Sequence, residues 1–514
     1  MRIEGSKGFF FEKKKQKTSA NLGRGRLRRH GPVSKNFLLL FFTKEALAFL
    51  LLCSCNFAPH YIPPSLTTPV AYANMGPWTP ATPEDTLPRG AWWRVFGDPT
   101  LDGLEAKIET GNPDLAVALS RYDQARQLET QASAAFLPTI AISGSGSQNQ
   151  QSAHRPLRVG GPDIYADDLL EGSFSYELDL WGQVRNAVAA GRDDTAAAKA
   201  DAASVRLSLE AQLADAYFSL RGLDAQEQLL AATAAAYARA LHLTEVQHAG
   251  GIVSGLDVGR AQTQFDDAQA QASDVLAQRG VYQDEIASLI GVPAPLFSLA
   301  ADPALPPPPV TPVAAPAALL QRRPDIAAAE RRAAAANAQI GVARAAFFPQ
   351  ITLNGSGGFQ DAGGGVSLFN ASNSLWSLGP SLALTVFNGG VRQAADNIAI
   401  DNFNQASADY KSTVLTAFQQ VEDNLLLCND LAAEAAQQRD AVAAADRTAK
   451  LSLSLYTLGA VTYLDVVTAQ TADLDAQRAA LTIATRRLQA SVDLIRALGG
   501  GWSRADDMVV ASHD

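Results

Sequence analysis

Gln183–Gly250, whose middle reads LSLEAQLADAYFSLRGLDAQEQLL over Leu207–Leu230, contains no proline. Apolar or small residues recur along it in steps of three and four: Leu209, Leu213, Ala216, Leu220 and Leu223, then, past Glu227, Leu230, Ala234, Tyr237 and Leu241. That spacing predicts one amphipathic helix with a narrow, coiled-coil-like seam. At about 1.5 Å per residue the run reaches on the order of 100 Å. A helix so long cannot be the core of a compact domain; it has to be a strut.

The rhythm returns at Val414, Phe418, Val421, Leu425, Cys428, Ala432 and Ala435, and continues through Val442 to Leu453 across the polar Arg439 and Asp446. No proline follows Pro380, so the second strut is equally uninterrupted. Ahead of the first strut, helical periodicity is expected from Leu101 to about Ala135. At Pro138 the period changes to two. Ile140 and Ile142 alternate with Thr139, Ala141 and Ser143; Phe174, Tyr176, Leu178 and Leu180 alternate with Ser175, Glu177, Asp179 and Trp181. This predicts a hairpin of two strands of about ten residues with its loop near 150–168. Outward aromatics and inward acids on strands of this length resemble a transmembrane barrel; a half-buried soluble sheet is the alternative.

The second half echoes the first. Phe347-Phe348-Pro349-Gln350-Ile351 matches Phe136-Leu137-Pro138-Thr139-Ile140, and Gly459 with Thr462-Tyr463-Leu464-Asp465 matches Gly251 with Ser254-Gly255-Leu256-Asp257. Ala469-Gln470-Thr471 matches Ala261-Gln262-Thr263, and the offset stays near 208. A near-constant offset across helices, strands and breaks indicates tandem duplication. Each half therefore reads helix, strand pair, long helix, turn, helix. Four strands cannot close a membrane barrel, whose smallest members need about eight. An open edge in lipid leaves backbone groups unsatisfied, so a membrane reading requires several chains to share one barrel.

Composition excludes other classes. The chain carries −10 overall and +9 within residues 1–36, which leaves −19 on the remainder. So acidic a body is a poor nucleic-acid binder, and the basic head reads as targeting. Phe37–Phe42 and Ala46–Leu52 form a broken apolar region interrupted by Lys44 and Glu45; the long head suggests a translation start near Val33, which the precursor mass would decide. Leu52-Cys53-Ser54-Cys55 resembles a lipobox with Cys55 acylated, against a plain signal with an incidental cysteine. Six histidines and three cysteines show no metal spacing. No phosphate loop, nucleophile elbow or acid–base constellation is present, so neither enzyme activity nor a cofactor is expected.

In this order, several segments closely resemble the TolC-type outer-membrane efflux channels, among them the NodT-like lipoproteins of resistance-nodulation-division pumps. They are Cys55–Pro64, Trp92-Trp93 with Phe96-Gly97-Asp98-Pro99, Leu178–Gly182, Arg322-Arg323-Pro324-Asp325-Ile326, Ala346–Pro349, Phe387–Gly390, Tyr463–Val466 and Ala497–Trp502. The resemblance implies a mostly α protomer with a small β part. Its long antiparallel helices would form an α-barrel across the periplasm. Its four strands would join a shared trimeric twelve-stranded barrel in the outer membrane. The expected partners are two further copies, a periplasmic adaptor, an inner-membrane transporter and outer-membrane lipid.

The expected organisation is a targeting segment at 1–54, an extended lipidated arm at 55–90, a first efflux repeat at 91–292, a Pro-rich linker at 293–316, a second repeat at 317–502 and a tail at 503–514. Function would be passive conduction of drugs, solvents or other toxic compounds out of the cell, with a non-conducting periplasmic coiled-coil scaffold as the alternative. Only three methionines are present, which gives no support to a soft-metal relay. Asp257 and Asp465 are candidate gate acids at the periplasmic mouth. Ser254-x-x-Asp257 and Thr462-x-x-Asp465 equally resemble capping boxes. Gly251, Ser254, Gly459 and Thr462 are candidate adaptor contacts, and the glycines equally suit simple helix termination.

Overall fold

The structure, a computed structural model, describes residues 56–69, 71–73, 91–152, 154, 160, 163–309, 322–362 and 365–500. Cys55, the targeting segment 1–54, residues 70 and 74–90 of the arm, residues 310–316 of the Pro-rich linker and the tail 503–514 lie outside the described residues. The elements run α1 (Pro99–Gly111), α2 (Pro113–Ser133), β1 (Thr139–Gln150), β2 (Ile164–Glu177), α3 (Gln183–Ala249), α4 (Gly255–Leu289), α5 (Pro324–Ala345), β3 (Gln350–Asp361), β4 (Ser374–Ala383), α6 (Val391–Thr457) and α7 (Tyr463–Ala497).

Both struts are single helices. α3 and α6 have 67 residues each, α4 and α7 have 35 each, and each pair is offset by 208 positions. α3 folds back onto α4, and α6 onto α7, while α7 also lies along α3. The helix expected from Leu101 to Ala135 is instead two. Pro113 has no N–H to donate and pushes Asn112 into extended backbone; the Asn112 side chain then caps α2 by accepting from Leu115 N at 2.9 Å. The second half enters in the way its sequence suggests, with Arg323 at the cap and Pro324 in the first turn of α5.

The seam of α3 is buried at Leu213, Leu220 and Leu230, with Ala234 half-buried. On α6 the expected line holds at Val414, Val421 and Leu425, then shifts: Leu431 is buried, while Ala432 and Leu453 are exposed. The cause is the partner set. α1, α2, α5 and α7 all pack on α3, whereas α6 meets mainly α5 and α7. Cys428 is half-buried beside the core formed by Tyr72, Val421, Leu425 and Leu494, and burial pushes its thiol up to about 11.

The four strands form one antiparallel sheet in the order β1-β2-β3-β4. β2 stops at Glu177, so Leu178, Leu180 and Trp181, expected on the strand, lie in the turn into α3. Asp179 ends the strand because its carboxylate accepts from Val184 N at 3.1 Å and Arg185 N at 2.9 Å, supplying acceptors to the first turn of α3. Among the described residues no helix is long and apolar enough to cross a membrane.

The largest core surrounds the middle of α3, where Trp92, Leu101, Leu104, Leu213, Tyr217 and Phe218 meet Ile286, Leu488 and Val492. Here Gly222 admits α7, because a Cβ at this position would lie 2.2 Å from Thr485 Oγ1. Polar groups are buried too. Asp224 accepts from Arg221 Nη1 at 2.9 Å, Arg279 Nε at 2.5 Å and Asp302 N at 3.0 Å. The two guanidinium groups also donate to Ala300 O at 2.8 Å and Leu299 O at 2.7 Å, so this cluster ties the start of the linker to α3 and α4. Glu105 is 2% exposed, and among the described residues neither carboxylate oxygen has a hydrogen-bond donor. Burial, then the neighbouring Glu210 and Asp102, push it up to about 10.

Two outcomes are expected. Native Glu105 holds a proton that the unfolded chain releases above its ordinary pKa of 4.5, so stability falls as pH rises from there towards about 10. Glu105→Gln therefore raises the melting temperature at pH 8 and flattens its decline with pH. A residual slope persists from Glu210 and Asp215, which burial raises to about 7 and about 8. Gly222→Val lowers stability by about 1–3 kcal/mol through overpacking, and Thr485→Ala in the same chain restores part of that loss in a double-mutant thermal melt.

Candidate functional site: the helical tips and the two-faced sheet

Each long helix ends in a five-residue reversal, 250–254 and 458–462. Gly251, at φ +75°, donates to His248 O at 2.9 Å, and Ile252 N donates to Gln247 O at 2.8 Å. Gly459, at φ +76°, and Ala460 repeat the pattern onto Tyr456 O and Leu455 O, each at 2.9 Å. This bond pair closes a helix with a left-handed residue, which only glycine adopts without strain. Both glycines thus terminate helices, and open space surrounds them.

The next helix starts three residues on. Ser254 accepts from Asp257 N at 3.4 Å, and Asp257 Oδ2 accepts from Ser254 Oγ at 2.8 Å. Asp465 reaches back in the same way, accepting from Thr462 N at 2.9 Å and Thr462 Oγ1 at 2.7 Å. Both acids are caps. They differ in their other partner. Asp257 is half-buried and pairs with Arg260 at 3.3 Å, whereas Asp465 is exposed and bonds Thr462 alone among the described contacts. The Thr462 hydroxyl, then its backbone N–H, hold the Asp465 carboxyl below its usual range.

Sequence reasoning missed the bonds that join the two hairpins here. Tyr456 on α6 donates to Gln247 Oε1 on α3 at 2.9 Å, and Tyr463 on α7 reaches Gln264 Oε1 on α4 at 3.5 Å. The two tyrosine rings meet edge-on at 5.3 Å over a cluster of Leu241, Ala261 and Val466. Tyr463 was legible as part of a motif. Its partner was not, because residues 199 positions apart give no local signal.

At the opposite end of the helices the sheet has two unlike faces. Register places Ile142, Phe174, Leu353, Trp376 and Leu378 on one side, with Ile142 81% and Trp376 80% exposed. The other side is polar and laced by side-chain bonds: Ser175 to Asn354 at 2.9 Å, Asn354 to Ser381 at 2.9 Å, Ser356 to Ser377 at 3.0 Å and Gln350 to Glu177 at 2.8 Å. The strands hold Asp167, Asp168, Glu171, Glu177 and Asp361 and no lysine or arginine. Among the described residues the outer backbone edges of β1 and β4 have no partner strand. At the junction with the helices, Phe57 stacks on Phe348 at 4.3 Å and Trp181 stacks on the same ring at 5.0 Å.

Residues 106–292 and 315–500 match the model of the outer membrane efflux protein family. The pyoverdine export outer membrane protein OpmQ of Pseudomonas aeruginosa is 31% identical over 474 residues, 91% of this chain and 98% of its own. The toluene efflux pump outer membrane protein TtgF of Pseudomonas putida is 33% identical over 476 residues, 90% and 97%. Among solved structures, the outer-membrane channel OprN superposes with a TM-score of 0.75 at 28% identity over 86% of this chain and 99% of its own. The open-state MtrE outer membrane channel of Neisseria gonorrhoeae gives 0.77 at 27% over 88% and 99%. With two matched segments spanning most of its length, and with a helix-rich body and a small antiparallel sheet like those channels, this chain belongs to the outer membrane efflux protein family.

Proposed function

We propose that the chain is the outer-membrane conduit of a tripartite efflux pump, passing small molecules delivered by an inner-membrane transporter through a periplasmic adaptor. One observation carries the assembly: a four-stranded sheet with one exposed apolar face, one polar face and two unpaired edges. In lipid each unsatisfied backbone group costs several kcal/mol. Three copies joining β4 to β1 of the next close a twelve-stranded barrel with the apolar face outward and the polar face around a pore. The helical hairpins continue that pore into the periplasm. Three carboxylates on the polar face, Asp167, Glu171 and Glu177, and no base on the strands favour cations within it.

Gating is assigned to the tips. Ringed about a threefold axis, three copies of Asp465 repel one another and attract cations, while Arg260 offsets part of the charge on Asp257. The Tyr456–Gln247 bond joins the hairpins, and in this reading it holds the mouth shut. An adaptor seated on the reversals at Gly251–Ser254 and Gly459–Thr462 separates them. Acylation of Cys55 is supported by the Phe57–Phe348–Trp181 stack, which fixes the chain two residues later beside the base of the sheet, where a lipid anchor is useful. The relatives bear the names of pyoverdine, toluene and antibiotic pumps, so cargo is left to the transporter.

Native mass measurement in detergent tests the assembly: a trimer is expected, and a chain that stays monomeric and dissolves without detergent overturns it. In planar bilayers, Asp465→Asn lowers cation preference more than Asp257→Asn; equal, unchanged preferences remove both from the gate. Tyr456→Phe forfeits a hydrogen bond worth about 1 kcal/mol, so the opening equilibrium rises about fivefold per protomer, read as greater closed-state conductance.

A further inference from the structure

The β3–β4 connection carries a consequence for the outer mouth. Its residues 365–369 and 371–373 form two tight helical turns. Asn370 N and Asn373 Nδ2 both donate to Ser367 O, at 3.0 and 2.8 Å, Ser367 Oγ donates to Asp361, and Ser374 Oγ donates to Ala371 O at 2.8 Å. These bonds fix the loop in one direction relative to the sheet. That direction is read from Phe369, whose ring meets Phe359 edge-on at 5.7 Å.

Phe359 lies on the apolar face. It shares parity along β3 with Gly355, where an added Cβ would meet the Phe174 ring, and with Gly357, which sits beside Trp376. The opposite, polar face at this level is closed by Gln360 donating to Asp167 at 2.8 Å. A loop folded across the pore would cover that polar bond; this one turns the other way. Phe369 is nonetheless 60% exposed, continuous with the exposed band of Ile142, Trp376 and Leu378.

The height of that band shows what covers it. Ile351 to Phe359 spans about 27 Å along the strand, or about 20 Å upright at the usual barrel tilt, against an apolar belt of about 25 Å flanked by aromatics. Phe369, beyond Phe359, supplies the missing rim. Resting on the barrel reading above, we propose that the β3–β4 loop is a membrane-interface finger that seats Phe369 at the outer-leaflet boundary and leaves the outer mouth uncovered. Its occupant is lipid, by continuity with the lipid-facing strands.

The test uses nitroxide labels at Phe369→Cys, Trp376→Cys and Ser377→Cys, each in a full chain with Cys53→Ser, Cys55→Ser and Cys428→Ala. The protein is reconstituted in phosphatidylethanolamine–phosphatidylglycerol vesicles, and collisions with oxygen and with a water-soluble nickel chelate are compared. Positions 369 and 376 are expected to favour oxygen, and 377 the chelate. If 369 follows 377 while 376 favours oxygen, the finger is refuted and the barrel stands. If 376 and 377 behave alike, the barrel facing fails and the finger with it.

Discussion

Two strand edges with no partner among the described residues govern this protein. A sheet of four strands satisfies its inner ladders, but the free N–H and C=O groups along β1 and β4 tolerate water and not hydrocarbon. One sheet face is apolar and exposed, which suits hydrocarbon better than water, and in hydrocarbon an unpaired edge would leave its backbone groups unsatisfied. The chain's membership of the outer membrane efflux protein family agrees with such a setting. The helices inherit the arrangement, since each long helix begins within a few residues of a strand end.

Tandem duplication gives the two halves the same lengths and the same reversals, yet they are not equivalent. α3 is enclosed by helices from both halves, whereas α6 leaves Leu415, Leu426 and Leu427 exposed. The tips diverge as well: the first pairs its acid with Arg260, and the second has Thr468 at the matching position. One duplicated motif thus serves mainly as a cap in one half and presents a less compensated charge in the other.

Between sheet and tips, the belt around Trp92, Tyr217 and Phe218 is where the chain is most deeply packed. Buried charges there are either well paired, as Asp224 is by two arginines, or neutralised by burial, as Glu105 is. The first solution fixes the linker between the halves; the second accepts a pH-dependent cost within a well-packed core.

Periodicity alone determined the struts, the strand pairs and the duplication, because residues a few positions apart sense the same face of a helix or sheet. Local chemistry also determined the caps: Ser254 with Asp257 and Gly251 with its reversal are complete within six residues. The helix break at Asn112 was legible in Pro113 but was overridden by a continuing apolar rhythm. The end of β2 was hidden because Leu178 and Leu180 keep the alternation going after Asp179 has turned the backbone. Only the tertiary structure decided the rest. It set which leucines of α6 stay bare, that Tyr456 meets Gln247 and that Phe369 leans to the apolar face, since each depends on groups brought together by packing across distances the sequence does not encode locally.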